Sequence, residues 1–170
     1  MLRKVGVVVL VLVALAAWLL VYPDIPVEEL KPKYACGAAR FIEINGTPVH
    51  YRDEGPAGAP ALLLIHGTAA SLHTWTPWVG FMSDELRLIR LDLPGHGLTG
   101  PAAQADFAYT YGDYAEFIED FAAQLGLERF ALAGNSLGGA IAWVYALKHP
   151  ERLSHLILID AAGYPRDRTP

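Results

Sequence analysis

The sequence predicts an α/β fold: a mostly parallel sheet, opened by an antiparallel hairpin, with helices on both faces. Four apolar runs lack polar alternation, at residues 60–67 (PALLLIHG), 86–93 (LRLIRLDL), 129–133 (RFALA) and 153–160 (LSHLILID). Such runs are expected of strands buried on both faces of a parallel sheet. Between them, residues 111–125 place Tyr114, Phe117, Ile118, Phe121 and Leu125 on one stripe and Glu116, Glu119 and Asp120 on the other, the pattern of an amphipathic helix. A glycine-caged serine joins the third run to the next segment. Strand and helix in alternation imply right-handed crossovers.

Composition fits a chain that buries a core. Of 170 residues, 53% are hydrophobic and 18% charged, and the net charge is −5. With no Lys/Arg cluster beyond the first few residues, nothing points to nucleic-acid phosphates. A single cysteine, Cys36, excludes an internal disulfide, and no Cys/His cluster has zinc spacing.

Taken in chain order, residues 5–22 (VGVVVLVLVALAAWLLVY) are uncharged and near the lower limit for a membrane-spanning helix. Arg3 and Lys4 precede them; Asp24, Glu28 and Glu29 follow. That bias predicts a single-pass anchor over residues 1–22, N-in and C-out, with the domain on the extracytoplasmic side. The alternative is a secreted protein released by signal cleavage, although LLVYPDIP offers no small-residue pair for a cleavage site. Residues 23–36 contain three prolines and alternating charges, and read as an extended, solvated linker. The domain is expected over residues 37–170.

Within it, RFIEING-TPVHYRDEG surrounds Asn45-Gly46, a strong hairpin signal. The runs that follow end at His66-Gly67, Pro94-Gly95 and Ser136. In open α/β sheets, ligands collect at those carboxyl ends.

Gly134-Asn135-Ser136-Leu137-Gly138 matches G-x-S-x-G, with the strand before and the helix after that the motif requires. Glycines flank the serine because side chains there would collide with neighbouring backbone. Gly139 and Ala140 extend the small surface, and His149-Pro150 ends the helix. The helix begins directly after Ser136, so its free amides and positive dipole end face the place where an oxyanion would develop. Leu137 supplies one amide. Thr68, after His66-Gly67, is expected to supply the second, while His66 orders the loop through backbone hydrogen bonds.

Three motifs in register, "LLLIHGTAASLHTW", "LIRLDLPGHGLTG" and "FALAGNSLGG", followed by "LILIDAAG", resemble the α/β-hydrolase family over roughly residues 41–163. The wording is similar to the branch holding carboxylesterases, carbon–carbon bond hydrolases and haloperoxidase-like members. The resemblance implies a serine hydrolase acting on a small ester or related acyl substrate, without metal or organic cofactor. Ser136 would be the nucleophile, a histidine its base and an acidic residue the orienting partner. Asp92, Gly95 and His96 would shape the loop after their strand.

In that family the acid usually follows the seventh strand and the histidine the eighth, after a cap. This chain stops at Pro170, shortly beyond the sixth run. The resemblance therefore implies a C-terminally truncated domain with about six of eight strands, inactive or nearly so by itself. Asp160, ending the sixth run, is an alternative acid. None of His50, His66, His73, His96, His149 and His155 lies where the family places its base. Three further readings stay open: a non-catalytic member of the fold, an acyltransferase, or a cofactor-free haloperoxidase-like enzyme.

Overall fold

The computed structural model describes residues 2–20 and 24–163. β1 (Ala39–Ile44) and β2 (Thr47–Glu54) form the expected hairpin, with Ile44 opposite Thr47 across a two-residue turn. Asn45 (φ 49°) and Gly46 (φ 80°) both take the positive φ that such turns demand. The remaining strands are β3 (Ala61–Ile65), β4 (Arg87–Leu91), β5 (Phe130–Asn135) and β6 (Leu153–Ile159). One six-stranded sheet results, in the order β1-β2-β4-β3-β5-β6. β2 is antiparallel to β4, while β4-β3-β5-β6 are mutually parallel. This is the α/β sheet read from the sequence.

Successive residues of β3 bury on opposite faces, which explains its unbroken apolar text. Leu63 and Ile65 join Ile89, Leu91 and Leu132 under α4 (Tyr111–Gln124) and α5 (Leu137–Lys148). Leu62 and Leu64 join Leu88 and Ala133 on the other face, where Trp75 and α3 (Thr76–Met82) cover them. α4 starts at a capping box: Thr110 accepts from the Asp113 amide, and Asp113 accepts from the Thr110 amide. β6 lies at one edge of the sheet, with Leu156 and Ile157 over a third exposed.

Two expectations for the N-terminal part are corrected. Among the described residues, no helix is long and apolar enough to cross a membrane. The apolar run forms α1 (Leu2–Leu20), a helix of 19 residues that includes Arg3 and Lys4. The described charge-free part of it, residues 5–20, extends about 24 Å at 1.5 Å per residue. Residues 21–22, the end of the run, lie outside the described residues. The transmembrane or signal anchor, the membrane partnership and the N-in, C-out localisation are thereby overturned.

The linker is also not extended throughout. Val27–Tyr34 form α2, with Glu28 and Glu29 in the first turn and Lys31 and Lys33 in the last, complementing the helix dipole. Lys31 pairs with Glu28 at 2.6 Å. The helix docks on the domain: the Arg52 guanidinium donates to the Cys36 carbonyl at 2.9 Å, and Lys31 Nζ sits 5.0 Å above the Phe41 ring.

Candidate active site

β5 runs into Ser136 and α5 leaves it one residue later. The serine backbone sits at φ 52°, ψ −112°, a region costing a side-chain-bearing residue roughly 1–3 kcal/mol. Its surroundings hold it there. The Ser136 amide donates to the Ile159 carbonyl, while its own carbonyl accepts from Ala140 and Ala162, each at 3.0 Å.

The glycines are required by close approach. A Cβ on Gly134 would overlap the Gly138 carbonyl, and one on Gly138 would overlap the carbonyls of Ile65 and His66. On Gly139 it would meet the Ala161 Cβ at 2.6 Å. The sharp turn is thus wedged between the end of β3 and the segment leaving β6.

The loop after β3 faces the serine. A Cβ on Gly67 would lie 3.3 Å from the Ser136 Cβ and 3.0 Å from the Asn135 Oδ1. Thr68 follows in an exposed turn whose next residue, Ala69, has φ 54°. Leu137 is the first residue of α5. Among the described residues, neither the Thr68 nor the Leu137 amide is taken up by a carbonyl in a turn, loop or cap.

Both nitrogens of His66 are engaged with backbone: Nδ1 lies 2.8 Å from the Gly67 carbonyl, and Nε2 accepts from the Leu93 amide at 3.1 Å. That pairing assigns the proton to Nδ1. Burial lowers its pKa, keeping the ring neutral. The His96 ring packs at 5.1 Å from it and its Nδ1 lies 3.2 Å from the Pro94 carbonyl. The loops after β3 and β4 are therefore joined through two imidazoles.

Asp92 is buried and receives three donors: the Leu72 amide at 2.7 Å, the Leu98 amide at 2.8 Å and His50 Nδ1 at 2.8 Å. Burial pushes its pKa up, but the hydrogen bonds from His50, Leu72 and Leu98 outweigh this and hold it below the ordinary carboxylate value. Gly97 is pressed against that carboxylate at φ 54°. The His50 contact has no local signal in sequence, because 42 residues separate the partners.

Asp160 has φ 45° and is exposed just past β6. His155 is exposed on β6, and His149 Nε2 lies 3.6 Å from Glu116 at the far end of α5. Among the described residues, no hydrogen bond joins Ser136 to a histidine.

Residues 60–169 match the profile of a family described as having the alpha/beta hydrolase fold. Among curated proteins, the chain is 38% identical over 114 residues to monoacylglycerol lipase abhd6-B of Xenopus laevis, covering 65% of this chain and 33% of that protein. It is 35% identical over 105 residues to the 1-acylglycerol-3-phosphate O-acyltransferase ABHD5 of Sus scrofa, covering 61% and 30%. The chain thus spans about a third of the length of these relatives. Among solved structures, a bacterial membrane phospholipase A superposes with a TM-score of 0.73 at 32% identity, over 99% of this chain and 55% of that one.

Proposed function

The chain belongs to the α/β-hydrolase family, and from that premise we propose that Ser136 is the nucleophile of a serine hydrolase acting on an ester or related acyl substrate. Its Oγ attacks the carbonyl carbon and gives its proton to a general base. The tetrahedral oxyanion accepts hydrogen bonds from the Leu137 and Thr68 amides. Collapse expels the alcohol, which takes up a proton, and leaves an acyl-serine that water cleaves to the carboxylic acid. The α5 N-terminus adds its positive dipole end at the same place.

The observation supporting this reading is the Ser136 backbone at φ 52°, ψ −112°, fixed between a strand and a helix start. Strain of that kind persists where surrounding structure over-determines it, and it clusters at reacting residues. His66, Asp92 and His96 are assigned to positioning: they set the course of the loops that bring Gly67 and Thr68 to the serine.

A second reading has its own support. Since no described histidine is bonded to Ser136, the 170-residue chain by itself fits a non-catalytic member of the family. A fluorophosphonate probe separates the two. The nucleophile reading expects phosphonylation of Ser136, located by mass spectrometry and lost in Ser136→Ala. A folded chain giving no adduct would establish the non-catalytic reading. Transfer of the acyl group to an alcohol instead of water shares the acyl-serine, and is distinguished by product analysis.

A further inference from the structure

Residues 160–163, which leave β6, fold back onto the elbow. Asp160 (φ 45°) and Gly163 (φ 89°) bracket this short segment with positive φ. Two successive turns of α5 grip it. In the first, a Cβ on Gly139 would meet the Ala161 Cβ at 2.6 Å, so Ala161 fills the place that the glycine leaves. One turn on, Trp143 Nε1 donates to the Ala162 carbonyl at 3.1 Å, and the Trp143 ring covers Gly163, where a Cβ would lie 3.2 Å from Cζ2. Residues four apart share one side of a helix, so both contacts fall on the same segment.

We propose that Trp143 is a positioning residue of the candidate site: through Ala162 it aims the Leu137 amide at the oxyanion. The inference rests on the nucleophile reading of Ser136 and adds to it a side chain that acts through another residue. The link is a single peptide plane. The Ser136 carbonyl and the Leu137 N–H belong to one planar unit, which is trans, so the two groups point in opposite directions. Whatever fixes the carbonyl therefore fixes the N–H.

Two amides hold that carbonyl, each at 3.0 Å: Ala140, its ordinary helical partner, and Ala162, from outside the helix. The Ala140 bond belongs to α5 and turns with it. The Ala162 bond ties the plane to the strand on the other side of the elbow. Ala162 is in turn held from both ends, its N–H on Ser136 and its carbonyl on Trp143. An indole N–H only donates, so the Trp143 bond has one direction and one partner type. Aim matters here because an oxyanion donor acts within about 2.7–3.1 Å of the developing charge. A tilt of the Ser136–Leu137 plane takes the hydrogen out of that range without breaking a bond of the sheet.

The test uses the full chain with Trp143→Phe, which keeps a ring against Gly163 and removes the donor. Phosphonylation of Ser136 by the fluorophosphonate is followed at several probe concentrations, which separates the limiting rate constant from probe affinity. The rate constant is expected to fall about tenfold, a part of the ~10²–10³ lost with a whole oxyanion donor, while the affinity stays unchanged. By NMR, the Leu137 amide resonance of the free chain is expected to shift. Lower stability to urea with the rate constant or the Leu137 resonance unmoved would overturn the proposal. No adduct on the wild-type chain overturns the nucleophile reading and this inference with it, whereas a wild-type adduct with these readouts unmoved overturns the inference alone. One check needs no variant. The Trp143 indole proton is expected to exchange with solvent about tenfold more slowly than that of Trp18, which is 72% exposed; equal exchange would overturn the proposal.

Discussion

Asp92 has no exposed oxygen to offer a substrate, yet it holds two loops of the candidate site at once. Its carboxylate takes the Leu72 amide from one loop, the Leu98 amide from the other and the His50 ring from β2. Asp92→Asn keeps the shape but removes the charge and places an amide donor against three donors. A loss of about 2 kcal/mol is expected, since buried groups left without partners cost 1–3 kcal/mol each; urea unfolding would measure it. Ser136 and its glycines were legible because everything that recommends them lies within five residues. The His50–Asp92 pair was not, because β2 and β4 meet only in the sheet. His73 was read only as a histidine that does not lie where the family places its base; its relation to α2 arises from the docking of a segment some forty residues upstream.

A buried ion pair governs the element that covers the second face of the sheet. Arg90 on β4 is 1% exposed and makes two hydrogen bonds to Glu54 on β2, at 2.8 and 2.9 Å. Its Nη1 also reaches Thr76 Oγ1 at 2.8 Å and the Leu72 carbonyl at 3.2 Å, at the entry to α3. Removing one partner of such a pair strands a charge in the interior. Glu54→Ala is expected to cost about 3 kcal/mol, and the double change to methionine at both positions much less; thermal unfolding of both variants checks the contrast. Strands and α4 were legible because apolar runs and a 3.6-residue stripe are local patterns. α2 was misread because its prolines were counted as breakers. Pro26 lies just before the helix and Pro32 within its second turn, where charge pairing and docking on Arg52 and Phe41 compensate. The membrane anchor failed because, among the described residues, no helix is long and apolar enough to cross a membrane, which an apolar composition alone does not settle.

For the whole molecule, the buried imidazole of His66 and the half-buried one of His73 bear on the response to mild acid. Burial lowers the pKa of both His66 and His73 from the ordinary 6.5, so below that value the unfolded chain binds more protons than the folded one. Stability is full above about pH 6.5 and falls as the pH drops toward the folded pKa values. Unfolding midpoints measured from pH 8 to 5 are expected to decline, and His73→Gln should flatten part of that slope; a flat wild-type profile would contradict the assignment. The sheet order was legible only as far as its parallel character, since propensity does not say which strands are neighbours. Ser136 itself illustrates why. Its backbone angles are fixed by Ile159 and Ala162 on one side, while Gly138 lies against residues 65–66, about seventy residues back in the chain. Contacts of such high sequence separation carry a loop-closure cost that local ones do not. The elbow is expected to close only when β3, β5 and β6 have met, and a probe that reads Ser136 should then report a late step of assembly.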